Sequence, residues 1–183
     1  MADSLCNLLL GYWVGLHGGP KGKAPHVEDA LFRTISPNIF ILTCESGGRA
    51  TFSATGSGVR SLFAEPAEDV DFFDLWTQAD RQLLRSMIAA MIARRVPLSV
   101  VAEIESGGAT NAYLEFALMP VTVTDFSYVL GIVVCVSKNV GTTVFSESLH
   151  VVKATPLDGQ SDRGATVHTL RKKHVARDLV DSI

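Results

Sequence analysis

The chain has 183 residues, 47% of them hydrophobic and 19% charged, with a formal net charge of -3. That length fits one domain with modest extensions, and the apolar share builds a sizeable core and argues against a disordered chain. The slightly acidic balance gives no electrostatic reason to expect nucleic acid or an anionic membrane surface as a partner.

The start, Met1-Ala2-Asp3-Ser4, lacks a basic region, and Gly11 and Gly15 break the apolar run from Leu8. No signal peptide is expected, and no segment reaches the length of a membrane span. Cys6, Cys44 and Cys135 are odd in number and far apart, which fits a reducing compartment, the cytoplasm by default.

Leu5, Leu8, Leu9, Tyr12, Trp13 and Leu16 recur at three- and four-residue steps and predict an amphipathic helix. Asp3 or Ser4 caps its start and Gly18-Gly19 ends it. His17 to Pro25 reads as a hinge, and a short helical stretch follows near Glu28 to Thr34. Asn38 to Cys44 and Ala50 to Thr55 predict two strands joined through Ser46-Gly47-Gly48.

The middle turns helical. Gly58 to Phe63 and Phe72 to Trp76 predict short helices around an acidic loop, Glu65 to Asp71. A longer helix runs from about Ala79 to Arg95, with Leu83, Leu84, Met87, Ile88, Met91 and Ile92 as its apolar stripe. Three strands follow: Leu98 to Glu105, Tyr113 to Leu118, and Tyr128 to Val136, the last apolar enough to lie buried on both faces. From Ser137 the pattern fades; Thr155 to Gly164 reads as a linker, and a terminal helix carries Arg171, Lys172, Lys173 and Arg177.

This order predicts an α+β fold: one five-stranded antiparallel sheet with helices on one face and the N-terminal amphipathic helix outside. The division is an N-terminal helix and hinge at 1–26, a core at 27–140 and a partly flexible C-terminal extension at 141–183.

Tyr12-Trp13, the run Ile35-Ser36-Pro37-Asn38-Ile39-Phe40-Ile41-Leu42, FSATGSGVRSLF over 52–63, Phe72-Phe73-Asp74-Leu75-Trp76 and YLEFALMPV over 113–121 come in a telling order. Together they resemble the PAS domain family, more narrowly its single-domain bacterial members common in alphaproteobacteria. The resemblance covers roughly Leu5 to Val136. Members often carry a Gly-Arg pair before the Phe-x-Asp-Leu segment; here Glu68-Asp69-Val70-Asp71 stands instead, so anion binding through that pair is not carried over.

Other chemistry is sparse. The run from Gly18 to Lys23 lacks phosphate-loop spacing, and Gly56-Ser57-Gly58 reads as a tight turn. His168 and His174 fall on different helix faces, His17 and His26 flank a loop, and no Cys pair has zinc spacing, so no metal site is expected. The family's haem route needs a His on the long helix, which has none. Its flavin adduct needs a Cys context that Cys44 and Cys135 lack, so both cofactors are disfavoured. Glu65, Glu68, Asp69 and Asp71 read as a solvated patch and not a catalytic site, and no enzyme is expected.

The resemblance implies an interior between the sheet and the long helix. Its expected lining is Ile41, Phe52, Leu62, Trp76, Leu84, Ile88, Val100, Phe116, Leu118 and Ile132. A ligand there would be small and apolar or aromatic. Leu5, Leu9, Tyr12, Trp13 and Leu16 form the expected partner or dimer surface. No kinase, cyclase or DNA-binding helix pair is expected after the sheet. The leading expectation is therefore a cytoplasmic signalling adaptor, a homodimer acting on a signalling protein; the second is a small-molecule sensor.

Overall fold

β-branched and aromatic runs set the strands, and Gly48, at φ 80°, sets the turn between the first two of them. The computed structural model describes residues 8–11, 13, 33–45, 47–63, 70–106, 109–123, 126–136 and 148–157. A 3-10 turn at Ser36–Asn38 leads into β1, Ile39–Cys44, and β2, Ala50–Thr55. Helix α1, Ser57–Leu62, a 3-10 turn at Phe72–Leu75 and helix α2, Gln78–Arg94, come next. Strands β3, Leu98–Ser106, β4, Ala109–Val123, β5, Phe126–Cys135, and β6, Leu149–Pro156, complete the order.

The sheet is antiparallel throughout, in the order β2-β1-β5-β4-β3-β6. It has six strands where the sequence predicts five. The extra one, β6, lies in the stretch assigned to the C-terminal extension, and its last two residues, Thr155 and Pro156, fall in the predicted linker. Its buried residues, Leu149, Val151 and Ala154, are spaced by two and then by three. A register shift at Val101/Ala102 inserts the extra residue and spoils the alternation that marks a strand.

Two apolar layers follow from strand parity. The inner face carries Phe40, Leu42, Val100, Phe116, Leu118, Val129 and Val133 under Leu84, Ile88 and Met91 of α2. The outer face carries Ala117, Met119 and Ile132 beneath Leu9 and Trp13 of the helical residues 8–11 and 13. The N-terminal segment thus covers the sheet from outside, as expected.

Glycine sits where backbones or rings approach closely. A Cβ on Gly131 of β5 would overlap the Phe40 ring, so that ring lies across the bare strand. A Cβ on Gly56 would meet the Ser36 and Pro37 carbonyls, and one on Gly58 would stand 2.7 Å from Asn38 Oδ1. The Gly56-Ser57-Gly58 run therefore packs α1 onto the turn before β1. Helix α2 ends on Arg95 at φ 55°, with Val96 N donating to Met91 O at 3.2 Å. This closes the helix with the hydrogen bond of a Schellman-type cap.

Candidate functional site

Residues 70–80 form a strap that spans the inner face from one sheet edge to the other. At the β2 edge, Phe52 N donates to Val70 O at 3.1 Å, and Ala50 N donates to Asp71 Oδ1 at 3.4 Å. Asp71 also caps the 3-10 turn by accepting from Phe73 N at 3.1 Å. Arg85 Nη2 stands 3.8 Å from Asp71 Oδ2, and its guanidinium lies 4.8 Å from the Phe73 ring centre. Asp71 is thus a buried structural acid and not part of a solvated patch. Glu65, Glu68 and Asp69 lie outside the described residues.

At the β6 edge, Thr77 N donates to Leu149 O at 3.0 Å, and Val151 N donates to Asp80 Oδ2 at 3.2 Å. The Thr77 hydroxyl donates to the same carboxylate oxygen at 2.8 Å, and His150 Nδ1 stands 3.8 Å from it. Thr77 is the N-cap of α2, and its hydroxyl bonds to the Asp80 side chain and not to a helix N–H.

Between these anchors the strap inserts aromatic rings into the interior. Trp76 lies 5.3 Å from Phe116 and 5.6 Å from Phe72, centroid to centroid. Phe72 in turn lies 6.0 Å from both Phe40 and Phe116. Edge-on and tilted contacts dominate, as ring quadrupoles favour.

The backbone of Trp76 is fully committed: its N–H donates to Phe73 O at 3.2 Å and its carbonyl accepts from Arg81 Nε at 2.9 Å. The residue also makes a parallel bridge with Leu149. Its indole Nε1–H is fully buried and has no acceptor among the described residues. Trp13 is the opposite case, because its indole Nε1–H donates to Pro120 O at 2.8 Å. Pro120 lies beyond Leu118, the last β4 residue paired with β3, where a strand tolerates proline.

Of the expected lining residues, Phe52, Trp76, Leu84, Ile88, Val100, Phe116 and Leu118 meet in the inner core, with Leu62 packed against it. Ile132 is a correction: it packs on the outer face with Trp13. Ile41 is another, since it pairs with Leu130 on that outer side and joins neither core. In both runs apolar residues occupy both faces, and only Gly131 facing Phe40 fixes the parity. Sequence reading missed Phe40 and Phe72, which complete the ring cluster. Phe40 was recoverable from that same glycine.

Of the expected partner surface, Leu9 and Trp13 are buried on the chain's own sheet. Leu5, Tyr12 and Leu16 lie outside the described residues, as do His17, His26, His168 and His174. Burial pushes the Cys44 thiol up to about 11. Among the described residues, no three His, Cys, Asp or Glu side chains converge on a metal-sized site. No helix among them is long and apolar enough to cross a membrane.

The family model described as PAS domain matches the sequence over residues 1–134. No curated protein matches the sequence.

Proposed function

The chain belongs to the PAS domain family, whose members are sensory and signalling modules, and we propose that it is a cytoplasmic, non-enzymatic sensor of a small apolar or aromatic molecule carrying a hydrogen-bond acceptor. The supporting observation is the contrast between its tryptophans. Trp13 spends its indole N–H on Pro120, whereas Trp76 buries the same donor among rings with no acceptor among the described residues. An unpaired donor in an apolar interior costs about 1–3 kcal/mol. A ligand acceptor beside Trp76 removes that cost, and the apolar walls select a neutral, ring-bearing compound.

The test is native purification, denaturation and mass spectrometry of what is released. A stoichiometric compound from the parent protein, lost from a folded Trp76→Phe variant, is the expected result. If the two proteins release the same amount, or if neither shows a thermal shift with any member of an apolar, acceptor-bearing library, the reading fails.

A second reading, an adaptor that pairs through its outer sheet face, has one observation in its favour. Tyr113 and Val136 are neighbours, linked by Val136 N to Tyr113 O at 2.9 Å, and are 39% and 48% exposed. Strand parity puts Tyr113 on the outer face, away from the cover of Leu9 and Trp13. Light scattering of the parent and Tyr113→Asp proteins tests it: a homodimer that becomes a monomer supports the adaptor, and a parent monomer removes its dimer form.

A further inference from the structure

We propose that β6 is a releasable edge strand, held by a latch at Thr77 and Asp80 and coupled to the interior through Trp76. This stands apart from the ligand reading, because it concerns which strand opens and not what opens it.

The strand lies past residues 1–134, the part matched by the family model, so it is added to the sheet from outside that pattern. It pairs with β3 alone among the strands. The ladder is broken by the shift at Val101/Ala102 into two short runs, Leu149 to Val151 against Ala102 to Ile104, and Lys153 to Pro156 against Leu98 to Val101. Short, interrupted pairing at an edge is where sheets open first.

Its two halves are held unequally. The first half has the strap on its far side: Thr77 N bonds to Leu149 O, and one Asp80 oxygen accepts from Val151 N. That oxygen also takes the Thr77 hydroxyl and faces His150 Nδ1. In the second half, the Thr155 hydroxyl is buried with no partner among the described residues. Leu157 N to Pro97 O, at 2.7 Å, closes its end. The Asp80 carboxylate is therefore the latch.

Trp76 joins this latch to the interior. Its backbone bridges Leu149 while its ring packs on Phe72 and Phe116. Any displacement of the ring moves the segment that β6 leans on. Release strips the outer edge of β3 from Leu98 to Ile104 and leaves its backbone groups unpaired.

Hydrogen exchange with mass spectrometry on the full chain tests this, comparing peptides from β6 with peptides from β4 and β5. In the parent protein, β6 amides should exchange about tenfold or more faster than those of the central strands. Asp80→Ala should speed β6 by about a further tenfold and leave β4 and β5 unchanged. Asp80→Asn retains a carbonyl oxygen for Val151 N and should stay near the parent, which keeps the test valid if the alanine variant does not fold. Trp76→Phe should speed β6 more than β2, the edge that Asp71 holds. Equal protection of β6 and β4 in the parent, or acceleration of all strands together in folded Asp80→Ala or Trp76→Phe, would overturn the proposal.

Discussion

Asp71 and Asp80 stand near opposite ends of one strap, and each accepts a backbone N–H from an opposite edge of the sheet, Ala50 on β2 and Val151 on β6. The ten residues from Asp71 to Asp80 thus reach from one edge to the other and carry Phe72, Phe73 and Trp76 between them. The two acids differ from Asp74, which lies between them, is 60% exposed and pairs with Arg81 at 3.0 Å.

Asp71→Ala leaves Phe73 N and Ala50 N without their acceptor and frees Arg85. Losing a cap and a second amide bond together costs about 2 kcal/mol. Asp74→Ala, removing an exposed ion pair, should cost less than about 1 kcal/mol. Urea unfolding of both variants checks the contrast; similar losses would mean that the carboxylate at 71 does not hold the edge.

Gly131→Ala places a methyl group inside the Phe40 ring. Overpacking of this kind costs about 1–3 kcal/mol. Shrinking the neighbour should recover part of it, so Gly131→Ala with Phe40→Leu should be less destabilised than the sum of the single changes. A double-mutant cycle by chemical denaturation measures that coupling, and strict additivity would exclude the ring contact.

Much of this architecture is legible in the sequence because the long helix and β3 obey their periods and the other early strands stand out as apolar, β-branched runs. Leu84, Ile88 and Met91 face inward as the stripe predicts. Parity fails where both faces of a strand are apolar: Ile39 to Leu42 and Tyr128 to Val136 offer no polar residue to mark the outside, so Ile41 and Ile132 went to the wrong layer. The sixth strand escaped because its bulge opposite Val101/Ala102 breaks the alternation. The role of Asp71 was hidden by its acidic neighbours, since no pattern in the sequence tells a buried cap from a solvated charge.

Trp13→Phe keeps most of the buried ring and removes the donor to Pro120 O. The expected loss is about 1 kcal/mol, the net worth of one buried hydrogen bond, beyond any cost of the smaller ring. Trp76→Phe loses no such bond: it incurs the cost of the smaller ring and is relieved of a buried unpaired donor. Limited proteolysis together with thermal melts separates them: Trp13→Phe should expose the N-terminal segment to cleavage before the sheet unfolds, and Trp76→Phe should not.

Burial raises the Cys44 thiol to about 11, so the folded chain holds this proton more tightly than the unfolded chain does. The sign follows from linkage. Stability from this group is full below the ordinary thiol range and is lost as pH rises toward about 11, where the unfolded thiol has already ionised. Denaturation midpoints of the parent and of Cys44→Ala, compared at pH steps through that window, isolate the effect from other titrating groups. The difference between the two proteins should shift against the parent as pH rises. Alkylation gives an independent reading: near pH 8 the folded thiol should react far more slowly than the same thiol in denaturant, because the thiolate is the reactive form.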